Sequence, residues 1–140
     1  MEYKVQSRSK KLKEYVEFLM PRLIAELKLE NSRKFVLVEI AKGITDNNAY
    51  GTTTTLPGLD SYVVALKPQK WADLGATLAH EMVHVKQFAK GHFQLRDGKR
   101  YWMGKRVTNR VKYLDQPWEQ EAFARQEILF RRAVENKCTK

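Results

Sequence analysis

The sequence predicts an α+β domain: an N-terminal helix, a small twisted sheet, a helix carrying His80, Glu81 and His84, a basic hairpin and a C-terminal helix. Three observations lead there. Apolar residues recur at helical spacing in three separate stretches, from Ser9 to Leu29, from Trp71 to Lys90 and from Pro117 to about Asn136. Short runs rich in β-branched residues, KFVLVEIA and SYVVAL, lie between the first two. The resulting order of helix, strands, helix, hairpin and helix is that of an α+β domain.

Each element has its own signal. In the first stretch Leu12, Tyr15, Val16, Leu19, Leu23 and Leu27 form the apolar stripe, and Pro21 either kinks one helix or starts a second. Lys34 to Ala41 reads as a strand, NAYGTTTT as an extended edge segment, and Ser61 to Leu66 as a strand stopped by Pro68. The central helix carries Leu74, Leu78, Met82, Val85 and Ala89 on one stripe, and Gly91 suits its C-terminus. Phe93 to Val107 holds Asp97-Gly98 and Gly104, which suggests hairpin strands. Pro117 stands where a first helical residue belongs.

The 140 residues suffice for one domain with a real core, spanning 1–140. No run of apolar residues is long enough to span a membrane, and the N-terminus is charged where a signal peptide needs an apolar stretch. The lone cysteine, Cys138, cannot form an internal disulfide or a thiolate cluster, so a cytoplasmic protein is expected. The net charge is +10, and most of it sits between Lys86 and Lys112, where nine basic residues face Asp97 alone. That segment either meets something anionic or is a solvated face.

Residues 80 to 84 read HEMVH. On a helix, positions four apart share a face, so His80 and His84 can bind one metal ion, and imidazole suits zinc. Glu81 sits one residue round, where it can reach a water activated by that metal and act as general base and then acid. Two of the chain's three histidines fall in this motif, beside a Glu on an apolar helix. His92, just past Gly91, is out of register with the pair and reads as a surface residue. A third histidine at the spacing of the metzincin extension is absent, because Gln87 and Lys90 occupy the positions for its Gly and His.

The last helix offers Glu119 and Glu121, two residues apart and so on nearly opposite sides. Glu119 shares its face with Ala122, Phe123, Gln126 and Phe130, an inward and largely apolar face, and is the favoured third ligand. Glu121 can instead pair with Arg125 on the surface.

HEMVH with a downstream Glu119 and Ala122 resembles the gluzincin metallopeptidases, and the layout from Lys34 to Arg132 is similar to minimal, phage or bacterial members of that type. The resemblance implies a zinc-dependent peptidase whose third ligand is a Glu on a later helix. It implies an Asp or Asn one position after the small residue, supporting a zinc-binding histidine. Phe123 stands there, so that role is vacant or moved, with Asp115 as a substitute. It also implies that substrate lies along an edge strand before the active-site helix, which points to Asn48, Ala49, Tyr50 and Gly51. HEMVH is similar to the motif of SprT-like proteases as well, but those take a third histidine from beyond the helix, and none follows His92.

Within the basic segment, Phe93, Tyr101 and Trp102 are interleaved with the cations. Such interleaving serves nucleic-acid surfaces, and it also arises from a hairpin with one buried and one charged face. The segment is expected to rim the cleft and to favour acidic partners or nucleic acid. Tyr101 or Tyr113 is expected to donate to the oxyanion of the tetrahedral intermediate.

Overall fold

The first strand lies ahead of anything the sequence suggests. In the computed structural model, which describes residues 1–45, 49–56, 58 and 60–135, Glu2–Ser7 forms β1. Val5 is its one fully buried side chain, so its apolar alternation is too weak to read beneath the charges. Helix α1 (Lys10–Glu26) follows, with the Ser9 hydroxyl accepting from the Leu12 amide at 3.2 Å as its N-cap. Pro21 neither ends this helix nor starts another; it stands on the exposed side of one continuous helix.

The strands β2 (Phe35–Ile40), β3 (Gly51–Leu56) and β4 (Ser61–Leu66) complete a sheet in the order β1-β2-β4-β3. β1, β2 and β4 run parallel, and β3 runs antiparallel to β4 at the outer edge. Alternate residues of β2 and β4, among them Val36, Val38, Val64 and Leu66, join one core with Leu19, Leu23, Leu78 and Met82 of the helices. The helices α2 (Trp71–Ala89) and α3 (Pro117–Glu135) pack against each other so closely that a Cβ on Gly75 would stand 2.0 Å from the ring of Phe130.

Between them lies a second sheet of three short antiparallel strands, β5 (Phe93–Arg96), β6 (Lys99–Trp102) and β7 (Lys105–Val107). Its two tight turns place Asp97 and Gly98, then Met103 and Gly104, at positive φ, the conformation that two-residue hairpin loops require. No helix among the described residues is long and apolar enough to cross a membrane.

Candidate metal centre

Helix α2 presents His80 and His84 one turn apart, and α3 brings Glu119 to them from its first turn. His80 Nε2 lies 3.0 Å and His84 Nε2 3.2 Å from Glu119 Oε1. The ligand atoms of the three residues all lie within 4.8 Å of one another, and all three side chains are buried. This group could hold a metal ion. Donors about 2.1 Å from a tetrahedral zinc stand roughly 3.4 Å apart, close to the two separations between the histidines and Glu119.

The hydrogen bonds around His84 make the same point independently. Gln87 is fully buried. Its Nε2 donates to the Trp118 carbonyl at 2.9 Å and to Glu121 Oε1 at 2.9 Å. Both partners are acceptors, so the amide must turn its oxygen toward His84 Nδ1, 2.8 Å away. Nδ1 therefore carries a proton, and the neutral ring keeps a bare lone pair at Nε2. A lone pair 3.2 Å from a carboxylate oxygen is repulsive unless a cation, either a proton or a metal ion, lies between them. Gln126 Oε1 stands 2.7 Å from His80 Nδ1 and is placed to do the same for the second ring.

The support expected near Phe123 or Asp115 is thus supplied by two glutamines. Phe123 packs its ring against His80 with centroids 4.6 Å apart, and Asp115 is exposed with no bond to either histidine. Gln87 lies three residues after His84 on the same helical face, and Gln126 two turns after Glu119. That spacing was present in the sequence, but glutamine is so common on helices that it carried no signal.

Without metal, the charges of the group tune one another. Burial pushes the Glu119 carboxyl up, but hydrogen bonds from His80 and His84 outweigh it and hold it down to about 2. Burial pushes the His84 ring down, and contact with Glu119 and the nearby Glu81 charge reverse this to a net rise. Glu81 is buried, and that desolvation raises its carboxyl against the pull of His84 and a hydrogen bond from Thr53. The Thr53 hydroxyl donates to Glu81 Oε1 at 2.7 Å. Second in a run of four threonines, it carried no sequence signal.

Two adjoining cavities of about 290 and 310 Å³ open onto this group and share Ala49, Gly51, His80, Glu81 and Tyr113. Ala49, Tyr50 and Gly51 therefore line the space beside the donors, while Asn48 lies outside the described residues. Gly51 passes so close to α2 that a Cβ there would stand 2.7 Å from Thr77 and 3.1 Å from Glu81. Of the two candidate tyrosines, Tyr113 is at the group, its hydroxyl donating to Glu119 Oε1 at 3.2 Å. Tyr101 lies on β6 with Arg96 over its ring and lines neither cavity.

Glu121 departs from its expected surface role. It is only partly exposed, and beyond Arg125 at 3.6 Å it pairs with the buried Lys86 at 2.6 Å. His92 is partly buried rather than on the surface; its ring lies 6.4 Å from that of Trp102 and it is not one of the grouped donors. A larger cavity, about 570 Å³, lies beyond the ends of β1 and β2 and contains none of these donors.

The chain matches no protein-family model, no curated protein and no solved structure.

Proposed function

We propose that this protein is a zinc-dependent metallopeptidase of gluzincin-like design, with His80, His84 and Glu119 holding the metal and Glu81 as general base and acid. One observation carries the reading: two histidines locked by their neighbours to present Nε2 converge with one carboxylate at the wall of a cleft, beside a second, buried carboxylate. Two imidazoles and a carboxylate suit zinc, and three protein donors beside an open cavity are the arrangement of a catalytic rather than a closed structural site.

When bound, zinc supplies Lewis acidity, bringing the pKa of a coordinated water toward neutrality and polarising the scissile carbonyl. Glu81 takes the proton of the attacking water and passes it to the leaving amine. Its raised pKa makes it a stronger base toward that water, and Thr53 holds one of its oxygens. The Tyr113 hydroxyl, pushed up to about 12 by burial and the Glu119 charge, stays protonated at neutral pH and is the donor at hand for the developing oxyanion. The outer edge of β3 is unpaired in the sheet order and would take an extended peptide as a further strand, with Ala49, Tyr50 and Gly51 at its start.

Metal analysis tests this directly. Protein purified without added metal is expected to carry about one zinc per chain. Protein that binds no zinc, even when offered it, would remove the reading.

A further inference from the structure

The strand register sorts the side chains of the small sheet onto two faces. Phe93, Trp102 and Arg100 point inward: the Phe93 and Trp118 rings stack with centroids 4.1 Å apart, and the Arg100 guanidinium lies 5.0 Å over Trp118. Gln94, Arg96, Lys99, Tyr101 and Arg106 share the opposite, outward face. Arg96 and Lys99 stand directly opposite each other across the strands. Like charges in that position destabilise a sheet.

Among the described residues no ion pair relieves them. Asp97 is the sole carboxylate between Lys86 and Lys112. Among the described residues, Arg96, Lys99, Lys105, Arg106, Arg110 and Lys112 enter no ion pair, whereas the buried Lys86 is neutralised by Glu121. Outside this segment the chain carries only +2 of its +10. The excess positive charge is therefore concentrated in this segment, and Arg96, Lys99 and Arg106 carry part of it onto the outward face.

We propose that the outward face of β5–β7, with Arg96, Lys99 and Arg106 around Tyr101, binds nucleic acid through its phosphates. A protein partner would need an apolar centre to its interface. This face offers only Tyr101, half-buried with Arg96 4.0 Å over its ring; the exposed Leu95 belongs to the opposite face. Several cations and no anchor fit a ligand with regularly spaced charge. Arg96 and Gln94 also line a groove of about 430 Å³ that shares Phe88 and Phe93 with the cavity at the metal group, so a bound strand would lie beside the cleft.

Fluorescence anisotropy with short single-stranded and duplex DNA, across a salt series, tests the proposal without reference to peptidase activity. The full chain is expected to bind at low salt, with log K falling linearly against log salt. Replacing Arg96, Lys99 and Arg106 together by Gln is expected to weaken low-salt binding more than tenfold and to make the slope shallower by about three on duplex DNA. As a control of equal charge, Lys10→Gln/Lys11→Gln/Lys13→Gln on the exposed start of α1 should change it little. Absence of binding at low salt, an unchanged slope in the sheet variant, or an equal loss in the α1 variant each overturn the proposal. So does displacement of the DNA by oligoglutamate as effectively as by unlabelled DNA, which would mark the face as a site for acidic proteins.

Discussion

Among single residues, the contrast between Glu119 and Glu121 is the sharpest. They sit two positions apart on one helix, yet one meets both histidines and the other meets Lys86 and Gln87. Glu119→Ala removes a donor and is expected to weaken zinc binding far more than Glu121→Ala, which only loosens the support of Gln87. Chelator competition on both variants measures this, and a larger effect at Glu121 would reassign the ligand. Gln87→Ala is expected to lower zinc affinity about ten- to a hundred-fold, since it frees the His84 ring to change tautomer and rotate. Unchanged affinity would show that the ring is held by packing alone. The sequence already singled out His80, Glu81, His84 and Glu119, because helical spacing and an inward face are local properties. Gln87, Gln126 and Thr53 became visible only once α2, α3 and β3 were packed together, because their roles depend on which polar atom each meets.

At the level of elements, the donors depend on how closely α3 and β3 approach α2. Gly75 lets α3 in, and Gly51 lets the edge strand pass beside Glu81. Gly75→Ala puts a methyl group where the Phe130 ring lies, and α3 must move or Phe130 must leave its rotamer. A loss of about 1–3 kcal/mol is expected in urea unfolding, net of the small gain in helix propensity. An increase in stability would mean that the helices part without penalty. The elements with strong periodicity, α1, α2, α3, β2 and β4, were legible in the sequence nearly to their ends. β1 was not, because an edge strand with one fully buried side chain has almost no pattern to read. Pro21 was ambiguous for a different reason: a proline on the solvent side costs a hydrogen bond that packing elsewhere in α1 offsets, and packing is not a local property.

For the molecule as a whole, the buried charges couple folding to pH. In the metal-free protein, His84 has a raised folded value, so its contribution is complete below its ordinary 6.5 and is lost as pH rises through the folded value. Glu119, held at about 2, contributes above its ordinary 4.5 and loses that contribution as pH falls toward 2. Glu81, raised by burial, disfavours the fold as pH rises above 4.5, in the same direction as His84. The metal-free protein is therefore expected to be more stable at about pH 5.5 than at about pH 8 in urea unfolding, and the opposite order would contradict these charge states. A metal ion bound here would have to compete with protons for the same donor atoms, so on the proposed reading zinc affinity is expected to rise across the same interval.

The central claim is that this constellation performs peptide hydrolysis, and Glu81 is where it is most exposed to test. Glu81→Gln keeps the shape of the side chain and its contact with Thr53, and it leaves the three donors in place. The decisive measurement compares cleavage of an unfolded protein substrate by wild type and Glu81→Gln at matched zinc content. The prediction is cleavage by the wild type and its loss in a variant that still carries zinc; undiminished cleavage by that variant, or none by the zinc-loaded wild type, would contradict it.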